Sequence, residues 1–221
     1  MLKENVEQVK SILQKESEPW GRVPKLIAVT KFATPADILP LYDLGVTDIG
    51  ENRVQVLQEK LPHLEGKFSI HLIGRLQSNK VKYIIEDVCM IHSLDRMSLA
   101  QEIDRQAQMH QKRMDVLVQV NIAGEVQKGG MPEEEVLPFL KACAHLPGLN
   151  VKGLMAIMPL DAGRDELNQY FLRMRQLFDR CAQEAIDNIQ MQELSMGMSR
   201  DFDLACRQGA TMVRVGSRLF Q

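Results

Sequence analysis

Residues 26–35 read LIAVTKFATP. Leu26 to Val29 form an unbroken apolar run, the pattern of a strand covered on both faces. The run closes on Thr30-Lys31, and Thr34-Pro35 then opens a helical stretch over Ala36–Leu44. A buried strand leading into a helix is the first half of a parallel βαβ unit. An open doubly wound sheet would announce a glycine-rich phosphate turn at this junction. AVTKFATP contains no glycine, which favours an α/β architecture of the other kind, a closed (β/α)8 barrel of the TIM type.

The same alternation continues outward. Strand-like runs are expected at Leu26–Thr30, Thr47–Gly50, Ser69–Ile73, Val88–Ser93, Val116–Ile122, Val151–Ile157, Gln192–Met196 and Met212–Val215. Helices are expected at Arg96–Met109 after Asp95, and at Val136–Ala144 after Pro132 and three glutamates. Between Asp165 and Ile186 an apolar stripe runs through Leu167, Tyr170, Phe171, Met174, Leu177, Phe178, Cys181, Ala182, Ala185 and Ile186. Seven helical segments between eight strands leave a barrel one helix short. The N-terminal MLKENVEQVKSILQKE, with Leu2, Val6, Val9 and Leu13 on one face, is expected to fill the place after the last strand. Residues 1–221 then form a single domain, of the ~200–250 residues such a barrel takes.

Composition narrows the function. Apolar residues at 45% and charged residues at 25% describe a globular chain. The net charge of −2 and the scatter of basic residues give no nucleic-acid footprint. Cys89, Cys143, Cys181 and Cys206 stand far apart with no paired spacing, so neither a zinc site nor a disulfide framework is expected. The N-terminus is amphipathic rather than signal-like. No apolar run nears the ~20 residues of a membrane span. A cytoplasmic protein is the expectation.

Barrel chemistry gathers at the C-terminal ends of the strands, with phosphate commonly held after the seventh and eighth. Lys31 ends the first strand, and if Ile27, Val29 and Lys31 share the inward face its amine reaches the barrel mouth, where it can attack an aldehyde. An isolated strand-end lysine ordinarily just carries its charge to water. The tail gives this one meaning. After the seventh strand, SMGMS brings Ser199 to the expected N-terminus of the helix in DFDLACRQG, where an anion is favoured. A plain helix cap would look the same. After the eighth strand, Gly216 allows close backbone approach and Ser217 adds donors. Arg214 is expected to face inward between Val213 and Val215, either toward a ligand or in a salt bridge with Glu51.

The blocks AVTK, IGENRVQ, HLIGRLQSNK, HSLDR, GLMAIMP, SMGMSRDFDLA and GATMVRVGSRLF resemble, in order from Leu26 to Phe220, the pyridoxal 5′-phosphate (PLP) homeostasis proteins. This YggS/PROSC-like family is similar to the alanine racemase barrel domain without its second domain. The resemblance implies PLP held as a Schiff base on Lys31, with phosphate contacts from Ser199, Gly216 and Ser217. It also implies Arg214 at the pyridine nitrogen and Asn52 near the ring. Apo PLP-dependent enzymes are the implied partners. His71, Asn79, Lys80 and Met155 fall in the same blocks. His71 reads better as a satisfied core histidine, Asn79 and Lys80 as the opening of a helix, and Met155 as core packing. Relatives commonly continue beyond Gln221 through a glycine and a short tail.

Three functions compete: a non-catalytic PLP holder, a PLP-dependent amino-acid racemase, and a Schiff-base aldolase acting on a sugar phosphate. Racemisation needs an acid/base on the ring face opposite the lysine. The tyrosines, Tyr42, Tyr83 and Tyr170, all fall on expected helices, so the holder is preferred. An arginine also keeps its proton, leaving the ring a poor electron sink. A monomer is expected, since no long apolar patch is left over.

Overall fold

The computed structural model describes residues 1–64, 66–125 and 129–221. The chain opens on α1 (Leu2–Glu16) and continues through β1 (Lys25–Val29), α2 (Pro35–Ile38), α3 (Pro40–Asp43), β2 (Asp48–Glu51) and α4 (Val54–Lys60). Then come β3 (Ser69–Leu72), a 3-10 stretch at Ser78–Tyr83, β4 (Met90–Leu94), α5 (Met97–Met109) and β5 (Met114–Val120). The second half holds α6 (Glu133–Cys143), β6 (Leu149–Ala156), α7 (Arg164–Gln183), β7 (Ile189–Met198), α8 (Phe202–Arg207), β8 (Met212–Val215) and α9 (Ser217–Phe220).

The strands pair in chain order, all parallel, and β1 pairs with β8 to close an eight-stranded barrel. At that seam Ile27 lies opposite Arg214. Successive side chains of a strand point to opposite faces, and the buried residues divide accordingly. Ile27, Met90, Leu117, Met155 and Met212 come from five different strands and pack on one another, which is possible only inside the barrel. Leu26, Ala28, Val213 and Val215 join the outer core between sheet and helices. Burying each large apolar side chain contributes about 1.5–3 kcal/mol, so both layers hold the strands in register.

The place after β8 is shared. Its own helix, α9, is short, and α1 packs against both α8 and α9 as expected, with Asn5 Nδ2 donating to the Leu219 carbonyl at 2.9 Å. Val6, Val9 and Leu13 are buried beneath it.

Several boundaries differ from expectation. The helix expected over Ala36–Leu44 is two short ones, because Pro40 cannot continue the ladder and Leu39 before it ends the first turn. Thr34 and Asp37 close a full capping box at its start. Asn79 and Lys80 lie within the 3-10 stretch rather than opening an α-helix. Strand β4 starts later than Val88, β5 earlier than Val116 and β7 earlier than Gln192. The α7 stripe is buried at Leu167, Phe171, Met174, Leu177, Phe178 and Cys181 and half-buried at Tyr170, while Ala182 and Ala185 are exposed and the helix ends at Gln183. Among the described residues no helix is long and apolar enough to cross a membrane, and no group of side chains is arranged to hold a metal ion.

Candidate functional site

A cavity of about 780 Å³ opens at the C-terminal ends of β1, β7 and β8, and its wall includes Lys31, Ser199, Arg214, Gly216 and Ser217. Five of the six residues singled out from the sequence therefore meet in one place. Asn52 is not part of that wall. It follows β2, packed against the backbone at Gly74, and its buried Oδ1 has no hydrogen-bond partner among the described residues.

Lys31 stands two residues beyond β1, exposed, with its ammonium 4.9 Å from the centre of the Phe32 ring. The turn that carries it is anchored from below. Lys60 Nζ donates to the Thr30 carbonyl and to Glu51 Oε1, each at 2.7 Å, and the Thr30 hydroxyl donates to the same Glu51 oxygen at 2.6 Å. This buried ion pair fixes the ends of β1 and β2 together. Lys60 is missing from the sequence reading, although its i+3 spacing from Leu57 on the buried face of α4 marks it as an inward-facing lysine.

The loop after β7 is shaped by Gly197, whose φ of +93° favours glycine, and where a Cβ would sit 2.6 Å from that of Ala205. The loop thus hugs α8. Ser199 does not sit at the helix N-terminus, as the sequence suggests: α8 begins at Phe202, with Asp201 at the flanking position. Asp201 Oδ1 instead accepts from the Met198 amide at 2.6 Å, which ties the loop to itself. Burial raises the Asp201 pKa, against the pull of that amide and of the Arg214 charge. Ser199 Oγ accepts from the Gly216 amide at 3.0 Å. A Cβ on Gly216 would meet both the Cβ and the carbonyl oxygen of Val29 at 3.1 Å, so glycine here serves close packing against the β1 end.

Arg214 is buried and faces inward. Its Nη1 donates to Ser195 Oγ at 2.5 Å and its Nη2 to the Ala156 carbonyl at 2.8 Å. The alternative pairing with Glu51 is not formed: Lys60 and Thr30 both bond Glu51 Oε1, and Arg214 turns to Ser195 and Ala156 instead. Burial draws the guanidinium pKa down to about 10, partly offset by Asp201, so it is a cation at neutral pH. His71 is the satisfied core histidine that the sequence suggests, bonded to Asp48 and His92, and Met155 belongs to the apolar interior. Ser195, His92, Asp48 and Asp201 escaped the sequence reading. Each sits within or beside an apolar run, where no alternation marks which polar residue turns inward.

Residues 1–221 match the alanine racemase N-terminal domain family. The chain is 40% identical to the pyridoxal phosphate homeostasis protein of Aquifex aeolicus over 221 residues, 98% of this chain and 96% of that one. The solved structure of PipY from Synechococcus elongatus PCC7942 with PLP bound is similar at a TM-score of 0.89 and 32% identity, covering all of both chains. The alanine racemase of Corynebacterium glutamicum shares the fold at a TM-score of 0.72 and 13% identity, over 98% of this chain and 60% of that one.

Proposed function

Since the chain belongs to the family of pyridoxal phosphate homeostasis proteins, we propose that it holds PLP on Lys31 as a Schiff base and maintains the intracellular PLP pool without acting as a catalyst. The observation that carries this reading is the convergence of Lys31, Ser199 and Gly216 on one cavity with the charged Arg214 in its wall. The residues suit the group. An amine meets an aldehyde, the Ser199 and Ser217 hydroxyls meet a phosphate, and a permanent donor meets a ring nitrogen. The glycine at position 216 keeps the backbone low between them, and Asn52, outside the wall, keeps an unpaired Oδ1 buried next to the β2 end, the feature that suits a role near the ring.

When bound, PLP supplies an electron-withdrawing ring whose power depends on protonation at its nitrogen. Arg214 retains its proton at neutral pH and gives only a hydrogen bond, which leaves that nitrogen unprotonated. The carboxylates of the wall are committed elsewhere: Asp37 accepts from the Thr34 amide and hydroxyl, and Asp201 from the Met198 amide. None of Tyr42, Tyr83 and Tyr170 lines the cavity, and the Tyr170 hydroxyl is donated to Glu166. With no tyrosine in the wall and its carboxylates held by the loop backbone, the arrangement favours a holder over a racemase.

In this reading residues 1–221 work as one domain and as a cytoplasmic monomer. The exposed Phe32 and Leu160 at the rim, 90% and 65% accessible, give apo PLP-dependent enzymes an apolar edge to approach during hand-over.

The deciding experiment is borohydride reduction of protein incubated with PLP, followed by intact mass and peptide mapping. One adduct on Lys31, absent from Lys31→Ala, is expected. No adduct, or one at another lysine, overturns the reading. Turnover of an amino acid at roughly 1 s⁻¹ or faster would make the protein an enzyme instead.

A further inference from the structure

Inside the apolar barrel runs a thread of polar groups. Arg214 Nη1 donates to Ser195 Oγ at 2.5 Å, Ser195 Oγ lies 3.0 Å from His92 Nδ1, and His92 Nε2 lies 2.9 Å from His71 Nδ1. His71 Nε2 in turn lies 2.9 Å from Asp48 Oδ1, which Lys25 approaches to 3.2 Å at the opposite end of the barrel. Ser195 and both histidines are almost wholly buried. Such groups are costly unless every one is satisfied.

The ends of the thread decide its direction. Arginine can only donate, and an ionised carboxylate can only accept. His71 therefore carries its hydrogen on Nε2 toward Asp48, which leaves Nδ1 as an acceptor for His92 Nε2–H. The lone pair of His92 Nδ1 then takes the Ser195 hydroxyl hydrogen, and the Ser195 oxygen takes the Arg214 N–H. Each bond follows from its neighbour, and all donors point from Arg214 to Asp48. A proton added to either ring puts donors head to head, or reverses the chain and strands the Ser195 hydrogen. The charged groups facing the rings are Asp48 from β2, Lys25 from β1 and Arg214 from β8; burial first, then His71, Arg214 and Lys25, holds His92 well below its usual range.

We infer that Ser195, His92 and His71 are positioning residues which hold the buried Arg214 cation aimed into the cavity through a one-way hydrogen-bond thread anchored on Asp48. Asp48 thereby does from across the barrel what a carboxylate touching the guanidinium would do, without competing for the N–H groups that face a ligand. That those groups meet a pyridine nitrogen rests on the PLP reading; the direction of the thread does not.

The two parts are tested separately. Nitrogen-15 NMR of histidine-labelled protein without PLP reads the tautomers directly. Both His71 and His92 are expected neutral with hydrogen on Nε2 from about pH 6 to 8, the range in which a free imidazole would titrate. An imidazolium, or hydrogen on Nδ1 of either ring, overturns the thread, whatever the protein binds. With PLP, Ser195→Ala is expected to shift the visible absorption band and weaken retention roughly ten-fold, the loss of one hydrogen bond to a charged group. Ser195→Thr, which keeps the hydroxyl, restores the band. In an Arg214→Lys background Ser195→Ala adds little further loss, as residues acting through one another do. Full additivity, or an unchanged band in Ser195→Ala, overturns the positioning role. A wild-type protein that takes up no PLP defeats the functional reading, and the NMR result still decides the thread.

Discussion

Ser199 Oγ accepts a hydrogen bond from the Gly216 amide at 3.0 Å, so the loops following β7 and β8 are tied together in the wall of the cavity that Lys31 also lines. The tie leaves the Ser199 hydroxyl hydrogen to be donated. Ser199→Ala is therefore expected to raise the PLP dissociation constant about ten-fold, the worth of a hydrogen bond to a charged group, with little change in the unfolding midpoint. Equilibrium dialysis read at the visible band measures it, and unaltered retention removes Ser199 from the site.

Gly216→Ala tests the packing on the other side of the same bond. The penalty argued here is steric: the new methyl arrives 3.1 Å from the Val29 Cβ and carbonyl. A loss of about 1–3 kcal/mol is expected, as for other overpacked positions. Urea unfolding checks this, and wild-type stability would mean that the β1 end yields freely.

Lys60→Met removes the cation from the buried pair under Thr30 and leaves the Glu51 carboxylate with one hydroxyl partner. The cost expected for an orphaned buried charge is about 3–5 kcal/mol. Replacing Glu51 with Met as well should recover most of it. If single and double variants unfold at the same urea concentration, the pair is not what holds the turn.

The histidine thread makes acid stability predictable in sign. His92 is held neutral in the fold, its pKa depressed by burial and by His71, Arg214 and Lys25. The unfolded chain regains the usual 6.5 and binds a proton that the native state refuses. Stability should fall as pH drops below that value, by up to about 1.4 kcal/mol per unit for this one group, and be flat above it. Asp48 acts only in stronger acid, because His71 and Lys25 outweigh burial and lower its pKa from 3.8. Thermal melts from neutral to mildly acidic pH, compared with His92→Gln, isolate the histidine contribution. A slope unchanged by the substitution counts against it.

The barrel was readable because its strands are apolar runs separated by helix signals, and LIAV leading into TP without glycine already selected closure over an open sheet. The mouth residues were readable because strand ends and glycine turns are punctuated in the chain. The interior was not. A strand buried on both faces carries no alternation, so nothing in CMIHSL or ELSMGM says that His92 and Ser195 point at one another across the barrel. Lys60 hid for the opposite reason, since a lysine on a helix is ordinarily solvated. Pro40 splitting a helix was legible in principle, and Ser199 was misplaced because the turn before α8 is longer than its sequence suggests.

The strand that leads into Lys31 and the one that bears Arg214 are the first and last of the sheet, and they become neighbours only at the seam between β1 and β8. A ribosome must therefore deliver nearly the whole chain before any seat for the aldehyde exists. Unfinished polypeptides carry the lysine from early on but have nothing to orient it. On the proposed reading, capture of the vitamin is thus reserved for molecules whose synthesis has passed the final strand, an in-built check on completeness that needs no outside inspector.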